Sequence, residues 1–362
     1  MPKQSPLTEF HKTNGAKFAE EDGWILPIHF GDSLREYQAA RSEVGLLDLC
    51  HRGLLRFTGP DRVSYLQGMV SNDVSKLAAG EGTYAAVLDV HGKILADTRI
   101  FCTEEFFLVD LWESLKEKIL THLNRYLIAD EVEIADLTGQ YGIISLQGPK
   151  AKLFLRELLP QDEISLTELE HRISQIGESE VRLIRSTHTG EEGYDLLISM
   201  KDHLPVVSHI QEIGKTICLQ WIGTQAQEIL RIEAGIPRYG VDMDEDHLLL
   251  EIGLDNAVSF QKGCYLGQEV VERIRSRGHV NKKLAGLSLE GDRPAERGDK
   301  IHVGEKEVGE ITSSTLSPTL KHPLALAYLL RDYLQPGTRV SIDHNGKTLS
   351  AEVSALPFYK SS

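Results

Sequence analysis

Apolar and polar residues follow one another along this chain in an order that occurs twice. "LLRFTGPDRVSYLQGMV" (Leu54–Val70) runs from an apolar strand through Gly-Pro into a helical spacing that sets Val63, Leu66 and Val70 on one face. "GIISLQGPKAKLFLREL" (Gly142–Leu158) does the same with Leu153, Phe154 and Leu158. Residues three to four apart share a helix face, so both segments predict a strand leading into an amphipathic helix. Gly59 and Gly148 fall where each strand ends. Pro60 and Pro149 are expected at a first helical position, where proline's fixed φ fits and its missing N–H costs nothing.

The stretches that follow also correspond. "TRIFCTEEFFLVD" predicts a strand pair around Thr103-Glu104-Glu105, then a helix from about Trp112 to Tyr126. "VRLIRSTHTGEEGYDLLIS" predicts a strand pair around Gly190-Glu191-Glu192-Gly193, then a helix from about Asp202 to Ile213. The pattern is that of two related βαββα units, over about residues 50–130 and 140–215, in an α+β body.

From Leu284 the texture changes to short strands ("LAGLSLEG", "KIHV", "EVGEITSS", "LALAYL", "RVSI", "TLSAEV"). Turns at Gly304-Glu305, Gln335-Pro336-Gly337 and Asn345-Gly346 separate them, which predicts a small β-barrel. The body is expected over residues 1–280 and the barrel over 283–358.

Composition narrows the function classes. The chain has 362 residues, enough for two or three domains, with 41% hydrophobic and 26% charged residues. A formal net charge of −15 argues against a general nucleic-acid or anionic-membrane binder. Cys50, Cys102, Cys218 and Cys264 are scattered, without CxxC or Cys/His ligand spacing, so neither disulfides nor a preformed metal cage is expected. The first residues lack the apolar core of a signal peptide, and "LALAYLL" is far shorter than a membrane span; a cytoplasmic protein is expected.

Several polar groups are candidates for chemistry. In "KGCYLGQE", Cys264 lies just ahead of a helix beginning near Gln268, with Gly267 as cap and Lys262 close by. A helix N-terminus and an ammonium both favour a thiolate, whereas a lone cysteine also serves as an inert hydrophobe. The helix ends in "RIRSRGHVNKK", a basic stretch (Arg273, Arg275, Arg277, His279, Lys282, Lys283) at the domain junction, either a solvated face or a seat for an anion. The acidic "DMDEDH" after Val241 matches no calcium loop. Asp97 and Asp195 sit on strands, where carboxylates are depleted, and Arg231 and Glu233 on a short helix ended by Gly235.

"LLDLCHRGLLRFTGPD", "GKILAD", "SLQGP", "LRIEAGIPRYGVDMDED", "KGCYLGQEVVERIRSRGHVNKKLAGL" and "VGEITSSTLSP" together resemble the glycine-cleavage T-protein superfamily. That resemblance implies a duplicated α+β body with a C-terminal β-barrel, and tetrahydrofolate or a one-carbon derivative as the bound molecule. The K-G-C-Y-x-G-Q-E form resembles the YgfZ branch, folate-binding proteins implicated in assembly or repair of iron–sulfur enzymes and in some tRNA modification.

The resemblance implies catalytic roles for Cys264 and Asp97, and folate binding by Asp97, His188, Asp195, Arg231, Lys262 and Arg277. No metal ligand is expected among them. Three family positions are altered: Ala96 replaces the first aspartate of a frequent pair, His188 a tyrosine, and Asp195 a glutamate. The first expectation is therefore a folate-dependent accessory protein acting on iron–sulfur clients. The alternatives are an aminomethyltransferase served by a lipoylated carrier protein, and a non-catalytic folate-sensing module.

Overall fold

A computed structural model describes residues 2–160 and 164–361. The first repeat is a five-stranded sheet in the order Gly82–Leu88, Ile94–Cys102, Phe107–Trp112, Arg52–Thr58, Glu133–Asp136. The second is a six-stranded sheet in the order His171–Ile176, Ser179–Arg185, Gly193–Ser199, Tyr141–Gln147, Val44–Asp48, Leu219–Trp221. In chain order each repeat reads strand, helix, three strands, helix, short strand. Each therefore holds two strands more than the pattern predicted, Gly82–Leu88 and Glu133–Asp136 in the first, His171–Ile176 and Leu219–Trp221 in the second. Val44–Asp48, from upstream of both repeats, is spliced into the second sheet.

The Gly-Pro junctions explain why the repeats look alike in sequence. Gly59 has φ +101 and Gly148 φ +133, a region closed to most side chains. A Cβ on Gly59 would lie 2.1 Å from the Glu131 carbonyl oxygen, and one on Gly148 2.4 Å from that of Glu43. In both repeats a neighbouring chain crosses against the bare glycine. The helices start two residues beyond the prolines, at Arg62 and Ala151, so each proline shapes the turn into the helix rather than its first position.

The two sheets face each other. Leu54, Phe101 and Leu108 of the first and Leu47, Ile143, Ile184 and Leu197 of the second share one buried cluster. The helices cover the outer faces, Arg62–Met69 and Lys116–Tyr126 on the first sheet, Ala151–Leu158 and Met200–Gly214 on the second. Burial at about 25 cal/mol per Å2 makes these layers the main source of stability. An N-terminal hairpin, Lys17–Glu21 with Trp24–His29, lies at one edge and pairs with Lys3–Gln4.

Six antiparallel strands between Lys282 and Ser354 close into a barrel around Leu287, Ile301, Ile311, Leu329, Ile342 and Val353. Its Asn345-Gly346 turn has positive φ at both residues, the hairpin geometry that the dipeptide predicts. The barrel is tied to the body by polar contacts as well as by packing. Asp242, fully buried, accepts from Thr312 and Ser313, and Glu233 accepts from Ser317.

Candidate functional site

A cavity of about 290 Å3 opens where the two sheets, the N-terminal hairpin, the helix Thr224–Glu233 and the loop Gly235–Arg238 meet. Its volume suits the flat end of a drug-sized molecule. The strand Ile94–Cys102 supplies two of its groups. Side chains alternate across a strand, so Asp97 and Arg99 emerge on one face, and both line the cavity.

Asp97 is only 8% exposed. Tyr84, on the adjacent strand, donates from its hydroxyl to Asp97 Oδ2 at 3.0 Å. Burial and the neighbouring carboxylate push the Tyr84 phenol well above its usual range, so it stays a donor. Asp97 Oδ1 is buried with no hydrogen-bond partner among the described residues. A buried carboxylate oxygen left empty costs free energy unless something else bonds it, which marks this atom as a seat for a donor.

Beside Asp97 runs a chain of paired charges. Arg52 grips Asp110 with two parallel hydrogen bonds, Nε to Oδ1 at 2.8 Å and Nη2 to Oδ2 at 3.0 Å. Arg99 stands 3.4 Å from the same carboxylate and donates to His188 Nδ1 at 3.3 Å. With Nδ1 accepting, His188 carries its proton on Nε2, which faces both oxygens of Asp195 at 3.0 Å. Against the burial that opposes ionisation, His188 and Arg99 hold Asp195 below the usual carboxylate range. The chain crosses from the first repeat to the second at Arg99–His188. His51 stacks on Trp112 with centroids 5.5 Å apart, and both line the cavity as a flat wall. Burial and the adjacent Arg52 lower His51 to about 4, so it is neutral at pH 7.

The residues singled out from sequence fall in three places. Asp97, His188 and Arg231 line the cavity. Asp195 stands behind His188, its oxygens turned to the imidazole. Arg231 is 5% exposed, and its guanidinium bonds Glu228, Asp242, Ser313 and the Ile236 carbonyl. Lys262 and Cys264 are elsewhere. The Lys262 ammonium donates to the carbonyls of Gln67, Val70 and Asn72, each at 2.7 Å, and so is spent on the backbone rather than on a thiol or ligand. Cys264 is exposed and does not line the cavity.

The helix behind Cys264 spans Gln268–Arg277 and is capped by Gly267 and Gly278, both left-handed. The side chain of Arg277 lies outside the described residues. Arg275 covers the Phe260 ring, away from the cavity. The acidic segment answers its own charges, Asp244 with His247, Glu245 with Lys118 and Asp242 with Arg231. Among the described residues no three His, Cys, Asp or Glu side chains gather as metal ligands. No helix among the described residues is long and apolar enough to cross a membrane.

Sequence reasoning missed His51, Arg52, Tyr84, Arg99, Asp110, Trp112 and Arg238. Arg99 had a signal, since it lies two residues from Asp97 on a strand and so shares its face. Arg52, Tyr84, Asp110 and Trp112 meet through sheet register, Arg52 opposite Trp112 and Arg99 opposite both Tyr84 and Asp110, whereas His51 and Arg238 are placed by loops.

Comparison with known proteins decides the family. The "GCVT N-terminal domain" description matches residues 7–262, and the "Glycine cleavage T-protein C-terminal barrel domain" matches residues 282–360. The chain belongs to the glycine cleavage T-protein family. An aminomethyltransferase of Rubrobacter xylanophilus is 33% identical over 359 residues, spanning 99% of this chain and 94% of that protein. One of Halalkalibacterium halodurans is 31% identical over 361 residues, spanning 99% and 98%. The crystal structure of the glycine cleavage system aminomethyltransferase T of Bartonella henselae shares the fold, with a TM-score of 0.92, 24% identity and 99% of each chain covered. These relatives carry the name of the transferase; the YgfZ branch expected from "KGCYLGQE" does not stand among them.

Proposed function

We propose that this chain is an aminomethyltransferase that moves a one-carbon unit from an aminomethyl group on a lipoylated carrier protein to tetrahydrofolate held in the cavity. The observation that carries the reading is the empty, buried Oδ1 of Asp97 beside a flat aromatic wall. The residues present fit a reduced folate. Its pterin is a flat heterocycle with N–H donors, and the cavity offers the His51–Trp112 face to the ring and Asp97 Oδ1 to a donor. When bound, the folate supplies the nitrogen that accepts the one-carbon unit.

The protein's part is positioning and proton handling. Tyr84 locks one oxygen of Asp97, which aims the other into the cavity and leaves it free to accept a proton as the accepting nitrogen is relieved of one. The Arg52–Asp110–Arg99–His188–Asp195 chain pairs two arginines with two aspartates through the His188 imidazole, so the cations and anions of the wall answer one another. It also occupies Asp195, leaving Asp97 as the carboxylate that meets the ring. The assay is release of ammonia and methylene-tetrahydrofolate from an aminomethyl-loaded carrier. Turnover that is lost in Asp97→Asn supports the reading; no turnover with an intact carrier removes it.

The iron–sulfur accessory reading keeps one observation, the exposed thiol of Cys264 ahead of a helix. It requires that Cys264→Ala abolish complementation of a strain lacking such a protein. The transferase reading requires that the same variant turn over normally.

A further inference from the structure

Accepting the transferase reading, the geometry also identifies what holds the ligand's anionic end. The family resemblance pointed to Arg231, but a guanidinium has five N–H donors, and all five are committed here. Nε and Nη2 hold Glu228, Nη1 holds the Ile236 carbonyl at 3.0 Å and Asp242 at 2.7 Å, and Nη2 also reaches Ser313 at 2.7 Å. A ligand carboxylate could be served only by breaking a bond to a buried partner.

Arg238 lines the same cavity in the opposite condition. Its Nε is buried with no hydrogen-bond partner among the described residues. Its contact with Glu228 is 3.6 Å, too long for a hydrogen bond, because both oxygens of Glu228 are turned to Arg231. The base of the residue is fixed, since its backbone N–H donates to Asp242 at 3.0 Å. Depth separates the two arginines: the Arg238 side chain is 28% exposed and that of Arg231 6%. Asp242 is buried on the barrel side, so two cations face the single carboxylate of Glu228 at the rim.

We propose that Arg238 captures the carboxylate of the folate tail, while Arg231 is a positioning residue that braces the rim loop. The ring end lies deep against Asp97, and the tail leaves past Arg238, whose planar fork matches a carboxylate.

The test is calorimetric titration of the full-length protein with tetrahydrofolate and with 6-methyltetrahydropterin, which has the same ring and no tail. Arg238→Gln is expected to weaken tetrahydrofolate about ten- to a hundredfold and to leave the tailless pterin unchanged. Arg238→Lys, which keeps the charge and loses the fork, falls between. Urea unfolding of both variants should match the unaltered protein. Unchanged tetrahydrofolate affinity in Arg238→Gln, or equal loss of both ligands, overturns the assignment. If the unaltered protein binds neither compound, the folate reading itself fails and this assignment with it.

Discussion

In the first repeat the strand Ile94–Cys102 turns Asp97 and Arg99 into the cavity, with Tyr84 and Asp110 beside them on its two neighbours. In the second, the strand in the matching place, Ser179–Arg185, buries Val181, Leu183 and Ile184 in apolar clusters. The second repeat reaches the cavity instead through the loop bearing His188, with Asp195 behind it. Both repeats nevertheless keep the same bare glycine at the same strand-to-helix corner. A backbone crossing tolerates no variation, whereas a strand face can be apolar or charged at little cost to the topology. The two repeats share the scaffold's corners, while the cavity's charged strand lies in the first alone.

That contrast is open to direct attack. Asp97→Asn should lower the transfer rate by about 10²- to 10⁴-fold, read as ammonia release, whereas Asp195→Asn, one shell behind the cavity, should lower it far less. A larger loss at Asp195 would move the chemistry to the second repeat. Arg231→Met should cost about 3–5 kcal/mol of stability in urea unfolding, because it strands the fully buried charge of Asp242. A near-neutral result would show that the helix Thr224–Glu233 is not braced from within.

Each repeat also carries a buried histidine lowered to about 4, His51 by burial and Arg52, His171 by burial and Arg182. The unfolded chain takes up these protons near pH 6.5 and the folded chain only near pH 4. Stability is thus full above pH 6.5 and falls as the pH drops toward 4, by roughly 1–3 kcal/mol per histidine. His171→Gln should flatten that slope in urea midpoints taken across the range; a protein that gains stability on acidification contradicts it. Gly59→Ala and Gly148→Ala should each cost about 1–3 kcal/mol, and unequal costs would show that the two corners are not equivalent. Cys264→Ser should shift stability by less than about 0.5 kcal/mol, as expected for an exposed residue off the cavity.

Much of the architecture was legible because local backbone rules impose it. Gly-Pro corners, the Asn345-Gly346 hairpin and the Gly267 and Gly278 caps announce themselves by residue type. The added strand after the first helix of each repeat was less visible. His171–Ile176 is an edge strand with exposed alternate positions, and Gly82–Leu88 is joined to its partner by a turn whose only strong marker is Gly92. Of the site, Asp97 stood out as a carboxylate in an apolar strand, but its partners could not, since they meet through register between distant segments. Sequence proximity misled at Lys262, two residues from Cys264, whose ammonium closes on three carbonyls of another segment. It misled again over the arginines, because which of Arg231 and Arg238 is free depends on bonds that only the fold assigns.

Asp242 and Glu233 are clasped by hydroxyls of the barrel strand that ends at Leu316 and the turn beyond it. A chain cut before Lys282 would therefore lose more than its last domain. Two carboxylates would lose their barrel hydroxyls, Asp242 would hold the loop of Arg238 with less support behind it, and the mouth of the cavity would slacken. The cavity wall belongs to the body alone, yet the barrel clamps two carboxylates behind it, and the two folding units are expected to work only as one.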